Sequence, residues 1–364
     1  MQIQQKGLTS FQVSAIVTLS SIGLVVMFVP RIAAEYAGID GALATFLAGI
    51  LSTVTVAVII ILSKRFPNQT IIEYSQQILG KFLGKAYGAL IVMYALTVSS
   101  TILRGFADAI KILLLPSTPL EIIMICMLLI ALYCVHGGIS TISRTFEVFL
   151  FPVILVIAAI LFFNLTEVQL FRYRSSLSNG IVPVLRGAAG VTLSYLGYEI
   201  LFFLLPFVQN KKRVLLSGVL GMIAPIIVYT GLVFVSIGIL GDLPTSQLVY
   251  PTIHLARRIG IEFFERFDIF FIVFWILAVF TSYTIYLYMA SISITRLLGL
   301  RNYKPFISIL MPVCYAIAIL PQNISEIQYL NLITNYSGLL IISSSIPLLI
   351  VAVIRKKGGR NNNA

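Results

Sequence analysis

Long runs of apolar residues without any charged side chain constrain this chain more than any other feature. A lipid hydrocarbon layer about 30 Å thick is crossed by a helix of roughly 20 apolar residues. Eight charge-free runs have about that length or more: 7–30, 41–63, 122–143, 148–166, 214–241, 269–295, 305–325 and 327–354. Two further segments, 86–115 and 181–208, are long enough to span but contain charged residues. With 59% hydrophobic and 10% charged residues, the chain is predicted to be an all-α integral membrane protein with ten transmembrane helices, numbered 1 to 10 in the order of the chain.

The distribution of positive charge predicts the topology. The net charge of +12 is explained by the positive-inside rule, so no nucleic-acid partner is expected. With both termini cytoplasmic, six cations fall on the outer side: Arg31, Arg172, Arg174, Arg257, Arg258 and Arg266. Sixteen fall on the cytoplasmic side: Lys6, Lys64, Arg65, Lys81, Lys85, Arg144, Lys211, Lys212, Arg213, Arg296, Arg301, Lys304, Arg355, Lys356, Lys357 and Arg360. The first apolar run has full length, which favours a retained helix over a cleaved signal peptide.

The connections between the spans are short and leave no room for a soluble domain. The segment 71–79 is amphipathic and is predicted to lie on the cytoplasmic surface, and the outer connection 242–264 is predicted to carry a surface helix near 252–259. Residues 355–364 form a basic, Asn-rich tail. The three cysteines and two histidines are scattered, so no disulfide, metal site or cofactor is expected. No nucleophile, base and oxyanion set converges, which disfavours an enzyme.

Helices 1 and 6 both contain weak points near the bilayer centre. Helix 1 has Ser20, Ser21, Ile22 and Gly23 there, a pattern typical either of an unwound segment or of a packing face of small residues. Helix 6 has glycines at 187, 190 and 197, which make it a poor uninterrupted helix. Because these are the first helices of two five-helix halves, we predict a 5+5 inverted-repeat transporter-like fold with broken helices 1 and 6. The repeats would cover about 8–166 and 181–354.

Glu199 stands alone among apolar residues in helix 6. Burial in lipid favours its neutral form, because a charge in hydrocarbon is costly unless it is paired or used. Two roles remain open from the sequence: a proton-coupling carboxylate or a structural hydrogen-bonding group.

Helices 3 and 8 each carry a polar stripe with helical spacing. On helix 3, Thr101, Arg104 and Asp108 lie on or beside one face, which indicates either a self-satisfied ion cluster or a polar entry path. On helix 8 the stripe contains Thr281, Thr284, Tyr288, Ser291 and Thr295. Such a row of hydroxyls is typical of a hydrated or ligand-lined face, or of hydrogen bonding between helices. Together with Thr101, Arg104 and Asp108, Thr284 would line the polar path.

Several motifs resemble the B subunit of spore germinant receptors. They are the run 193–199, Leu-Leu-Pro at 204–206, the basic run 211–213, Pro-Thr-Ile at 251–253, Phe-Glu-Arg-Phe at 264–267 before Trp275, and Arg104 through 111–115. The likeness covers the whole chain in order. It implies the fold of the amino acid, polyamine and organocation transporter superfamily. It also implies a place in the inner membrane of a bacterial endospore, A and C receptor subunits as partners, and a small germinant such as an amino acid, sugar or nucleoside as ligand.

We therefore expect the polar head of the ligand to bind main-chain groups at Ser20, Ser21, Ile22 and Gly23 and at Ser194 to Gly197. The resemblance places the pocket between the central helices, so Val98, Leu196 and Thr281 are the candidate specificity residues, and ordinary bundle packing is the alternative. The superfamily commonly has Gly-x-Gly in helix 1, whereas Val25 follows Gly23 here. A β-branched residue there favours a shorter break.

Three functions remain open at this stage. The first is a germinant-sensing subunit, the second a secondary transporter coupled to protons through Glu199, and the third an ion- or water-conducting channel subunit that uses the polar path.

Overall fold

A computed structural model describes residues 7–178, 180–260 and 266–358. These residues form helices and turns, with one isolated β-bridge between Leu8 and Val208. Six helices are long and apolar enough to cross a membrane, one bent pair makes a seventh span, and three shorter apolar helices bring the number of segments to ten. The chain is therefore a multi-pass membrane protein with the predicted all-α fold.

The helices follow one another in the predicted order. Their bounds are Ser10–Ile22 and Val29–Ala37 (helix 1), Gly41–Lys64 (2), Lys81–Leu113 (3), Leu120–His136 (4), Ile139–Leu165 (5), Val182–Thr192 and Leu201–Leu204 (6), Val214–Leu240 (7), Phe267–Leu297 (8), Lys304–Ile319 (9), and Ile324–Ser343 with Ser345–Ile354 (10). Short helices Ile71–Leu79, Asp242–Gln247 and Pro251–Arg257 lie in the connections. The predicted helix at 71–79 thus has the observed bounds, and the helix expected near 252–259 spans Pro251–Arg257.

Helix 1 is interrupted at Gly23 and Leu24. The first half ends at Ile22, and a 3₁₀ turn, Val25–Met27, resumes the winding before the second half. Gly23 has φ of 27° and ψ of −132°, which a residue with a β-carbon adopts only with strain. The interruption is short because Val25 already belongs to the next turn.

Helix 6 is interrupted around Leu196 and Gly197. Its two parts, Val182–Tyr195 and Tyr198–Phe207, are bent by 56°. Gly197 has φ of 134°, a conformation that residues with a β-carbon rarely adopt, and the helical winding stops at this residue. Both predicted breaks are thus confirmed.

Both ends of the described chain lie on one face of the bundle. The main chain of Leu8 exchanges hydrogen bonds with Phe207 and Gln209 after helix 6. On the same face, the Arg65 guanidinium donates to the Lys357 carbonyl near the end of the chain, at 3.1 Å. We call this the terminal face. An even number of crossings follows from it.

Two predicted span boundaries were wrong. The charge-free run 122–143 was predicted to be one span, but the chain turns at Gly137 and Gly138 inside it, and helix 5 begins at Ile139. Charge placement alone misled the prediction, because Glu147 lies within helix 5, where its carboxylate accepts from the Gln12 side chain. Similarly, the run 305–325 includes the turn after helix 9 and the start of helix 10 at Ile324. The motif at 264–267 and the tail beyond 358 fall partly or wholly outside the described residues.

Candidate functional site

A cavity of about 530 Å³ lies where the two broken helices meet helices 3, 8 and 10. It extends from the breaks toward the face opposite the terminal face, where Arg31 and Glu35 line its mouth. Its other lining residues are Ser20, Ser21, Gly23, Leu24, Val25, Phe28, Ile32, Tyr36, Tyr94, Val98, Thr101, Ile102, Arg104, Gly105, Asp108, Gly190, Leu193, Ser194, Leu196, Tyr250, Ser282, Tyr286, Ile327, Leu330, Asn331, Thr334 and Asn335. The lining thus combines hydroxyl and amide groups with apolar side chains.

The break in helix 1 is held by hydroxyl groups from neighbouring helices. The Tyr229 hydroxyl, on helix 7, donates to the carbonyls of Ser21 at 2.6 Å and Ile22 at 2.9 Å. The Ser282 hydroxyl, on helix 8, donates to the Leu19 carbonyl at 3.2 Å. A helix end leaves carbonyls without partners inside the helix, and buried carbonyls need partners elsewhere. Tyr229 supplies them for Ser21 and Ile22, so the break can persist in an apolar bundle. The Leu19 carbonyl also accepts from the Gly23 amide.

The break in helix 6 packs directly against the break in helix 1. A β-carbon placed on Gly197 would lie 2.2 Å from the Ser20 carbonyl oxygen. Leu196 lies beside helix 10, since a β-carbon on Gly338 would be 2.8 Å from the Leu196 Cδ1 atom. Ser194 lines the cavity. The Ser194 hydroxyl has no hydrogen-bond partner within the described parts of the chain, so it is available to a ligand.

Glu199 is fully buried beneath the cavity and accepts three hydrogen bonds. Its Oε1 atom accepts from the hydroxyls of Tyr94, at 2.5 Å, and Tyr286. Its Oε2 atom accepts from the Gly197 amide at 2.7 Å. The carboxylate therefore ties helices 3 and 8 to the break in helix 6.

Charged residues surround the cavity toward its mouth. Arg104 and Asp108 form a salt bridge of 3.0 Å on helix 3. The Arg104 Nη1 atom also donates to the carbonyls of Pro321 at 2.7 Å and Ala318 at 3.2 Å. Burial and the nearby Asp108 raise the pKa of Tyr250, in the outer connection, to about 12, so its phenol stays protonated. Arg104 thus forms an ion pair with Asp108 and also donates hydrogen bonds at the end of helix 9.

The cavity brings together nine of the fourteen residues selected from the sequence. These are Ser20, Ser21, Gly23, Val98, Thr101, Arg104, Asp108, Ser194 and Leu196. Ile22, Gly197 and Glu199 lie at the breaks without lining the cavity. Thr281 and Thr284 are buried in helix 8, and their hydroxyls donate to the carbonyls of Ala278 and Phe280. Their roles, and those of the lining residues, stay predictions.

The sequence analysis missed Ser282 and Tyr286 as the helix 8 residues that reach the cavity. Helix 8 has hydroxyl side chains at 281, 282, 283, 284, 286 and 288, so polarity is found on several of its faces. Helical spacing alone therefore could not select the correct face. Asn331, Thr334 and Asn335 of helix 10 also line the cavity, and they were not predicted because they lie in a charge-free run whose clearest signal is its apolar length.

Comparison with known sequences identifies the family. The family described as "Spore germination protein" matches residues 7–327. The chain belongs to this family. Spore germination protein YndE of Bacillus subtilis (strain 168) is 29% identical over 356 residues, which are 96% of this chain and 98% of that protein. Spore germination protein A2 of the same strain is 27% identical over 354 residues, 96% of each chain. Spore germination protein B2 is 24% identical over 365 residues, 99% of each chain.

Solved structures show the same fold at low sequence identity. MhsT in complex with L-phenylalanine has a TM-score of 0.67 at 16% identity, covering 94% of this chain and 88% of that chain. Mhp1, a nucleobase-cation-symport-1 family transporter with bromovinylhydantoin bound, has a TM-score of 0.61 at 14% identity, covering 95% of this germination protein and 77% of that chain. The spore germination protein thus has a transporter-like fold.

Proposed function

We propose that this chain is the ligand-sensing membrane subunit of a spore germinant receptor, and that it binds a small amino-acid-like germinant between the broken helices. The observation that carries the proposal is the cavity at the meeting point of the two breaks, with its apolar wall and a Ser194 hydroxyl that has no hydrogen-bond partner among the described residues. Pockets for small ligands commonly enclose about 300 to 1,000 Å³, are mostly apolar and contain a few polar groups that orient the ligand. A cavity of about 530 Å³ fits that description.

The cavity lining offers both apolar and polar groups. Val98 and Leu196 offer apolar surface to a side chain, whereas Ser20, Ser21 and Ser194 line the cavity beside the breaks. A zwitterion with a modest apolar side chain would match both parts. Because a similar fold holds L-phenylalanine in MhsT, an amino acid is the leading candidate.

The family and the charge distribution support a proposal for the setting of the receptor. We propose that the chain lies in the inner membrane of the spore with its terminal face in the cytoplasm, since that face carries Lys64, Arg65, Lys211 and Lys357. Receptor A and C subunits would be its protein partners. Ligand binding in the cavity would then be transmitted to them.

The experiment for the sensing role uses Bacillus subtilis spores that lack their own germinant receptors and carry this chain with its A and C subunits. Germination in response to a panel of single L-amino acids is measured, with spores lacking only this chain as the control. A response that needs this chain, and that shifts when Val98 is changed, supports the proposal. If spores that lack the chain still respond to the same amino acids with the same preference, the proposal is contradicted.

Secondary transport is the second candidate, and the shared fold with a transporter such as Mhp1 favours it. Uptake of radiolabelled amino acids by proteoliposomes containing the purified chain separates the two functions. Accumulation driven by a proton gradient, lost in Glu199→Gln, would indicate a proton-coupled transporter. Saturable binding without accumulation would indicate a sensor.

A further inference from the structure

The Glu199 carboxyl group beneath the cavity is surrounded by hydrogen-bond donors rather than by cations in the described parts of the chain. Among the described residues, no Lys, Arg or His side chain forms an ion pair with Glu199, which is fully buried. Its neighbours are instead hydrogen-bond donors. The Gly197 amide can only donate, and it fixes Oε2 as an acceptor at 2.7 Å. The Tyr94 and Tyr286 hydroxyls both point at Oε1.

The charges that line the cavity itself balance one another. Arg31 and Arg104 are positive and Glu35 and Asp108 are negative. Arg104 and Asp108 neutralise each other directly, at 3.0 Å. Glu199, beneath the floor, is the acidic group of this region that lies outside this balance. In a medium of low dielectric constant, an ionised carboxylate acts over several ångströms with little screening.

Two tyrosines connect Glu199 with the cavity. Tyr94 and Tyr286 line the cavity, and their rings meet edge to face with centroids 6.2 Å apart. A phenol oxygen can accept a hydrogen bond while its O–H donates to another group. A hydroxyl that donates to a carboxylate becomes a stronger acceptor, because hydrogen bonds in a chain polarise one another. The hydroxyl oxygens of Tyr94 and Tyr286 are thus two acceptors strengthened by their bonds to Glu199.

We propose that Glu199, acting through the phenol oxygens of Tyr94 and Tyr286, makes this cavity selective for a ligand with an ammonium group. The inference rests on the proposed function and narrows its ligand class. The ammonium group lies at the floor and donates to the tyrosine oxygens. Glu199 does not touch the ligand, so it is a positioning residue that also supplies the charge. Neutral sugars, nucleosides and simple carboxylic acids lack the cation that this floor favours.

The test uses the purified full-length chain in lipid nanodiscs. Each probe is an apolar L-amino acid (alanine, valine, leucine, methionine or phenylalanine), compared with the 2-hydroxy acid that has the same side chain. Binding is measured by calorimetry and by ligand-induced thermal stabilisation. The wild type is expected to bind at least one amino acid about tenfold or more tightly than its hydroxy acid, which corresponds to about 1.4 kcal/mol.

Variants then separate the role of the charge from a structural role. Glu199→Gln keeps the shape of the side chain, and its preference for the amine should fall to within about threefold. Tyr286→Phe keeps the carboxylate and its bond to Gly197, and it should also reduce the preference. Glu121→Gln, at an exposed position in helix 4, is the control and should match the wild type. Thermal unfolding of each variant shows whether it is folded.

The outcomes distinguish this inference from the proposed function. If the wild type binds an amino acid and its hydroxy acid equally, or if folded Glu199→Gln and Tyr286→Phe both keep the full preference, the role of Glu199 is overturned and ligand binding in the cavity stands. If the folded wild type binds no amino acid of the panel, both proposals fail.

Discussion

Gly197 and the Ser20 carbonyl are in direct main-chain contact: a β-carbon on Gly197 would lie 2.2 Å from the Ser20 oxygen and 2.7 Å from the Ser21 nitrogen. The interrupted parts of helices 1 and 6 therefore touch without any side chain between them. Because interiors are close-packed, a displacement of one break must be accompanied by a displacement of the other. A ligand bound at either break would act on both helices.

Gly197→Ala tests this contact. The new methyl group would overlap the helix 1 main chain, and φ of 134° is strained for alanine. Overpacking costs about 1 to 3 kcal/mol in ordinary cores, and rigid main chain on the other side raises that cost. We expect a lower unfolding temperature in detergent and loss of the nutrient response. Gly260→Ala, where a β-carbon would meet nothing within 4 Å, is the control. Equal unfolding temperatures for the two variants would contradict the contact.

Val98 and Leu196 should set the size of the ligand side chain. One methylene in an apolar pocket changes discrimination by about 10- to 200-fold. Val98→Phe should therefore favour smaller germinants and Leu196→Ala larger ones, at near-normal subunit levels. Leu129→Ala, at a residue that is 57% exposed on helix 4, should leave the preference unchanged. If both cavity variants keep the wild-type preference and only the subunit level falls, these positions are packing residues and the ligand binds elsewhere.

Tyr229 should stabilise the broken form of helix 1. Tyr229→Phe removes the hydroxyl that donates hydrogen bonds to the carbonyls of Ser21 and Ile22. A buried acceptor left without a partner costs about 1 to 3 kcal/mol. Thermal unfolding should detect this loss relative to Tyr133→Phe, which removes a hydroxyl from a side chain that is 83% exposed. Equal stability of the two variants would show that the carbonyls find other partners.

Arg104 should matter more for stability than its partner Asp108. Arg104→Gln removes the salt bridge and also the donors to the carbonyls of Ala318 and Pro321, whereas Asp108→Asn leaves those bonds in place. Hydrogen bonds from charged groups contribute about 1.5 to 3 kcal/mol. The arginine variant should therefore unfold at a lower temperature than the aspartate variant. Equal unfolding temperatures, or the reverse order, would show that the bonds from Arg104 to the Ala318 and Pro321 carbonyls add nothing to stability.

The sequence predicted the fold because the membrane imposes strong rules. Span length, charge asymmetry and the glycines at 23 and 197 are local signals, and lipid leaves few architectures open. The turn at Gly137 and Gly138 could not be predicted from charge, because it contains no charged residue and lies inside an apolar run. A chain turn of small residues within apolar sequence gives no charge signal.

The side chains that meet in the cavity were harder to predict than the helices. Glu199 was selected from its isolation, but its partners Tyr94 and Tyr286 lie 105 and 87 positions away along the chain. Helical periodicity relates only residues a few positions apart, so it could not connect Glu199 with these tyrosines. Thr281 was selected and Ser282 was not, although only Ser282 lines the cavity, because a difference of one residue rotates the chosen face of a helix by about 100°.

The central claim is that a small amino acid binds in the cavity between the two breaks. Its most direct test is equilibrium binding of labelled L-amino acids to the purified chain in nanodiscs, compared between the wild type and a variant whose cavity is filled by Ser194→Trp. The account predicts saturable binding of at least one amino acid to the wild type and loss of that binding in the folded Ser194→Trp variant. Binding of equal affinity in both proteins, or no saturable binding to the folded wild type, would contradict it.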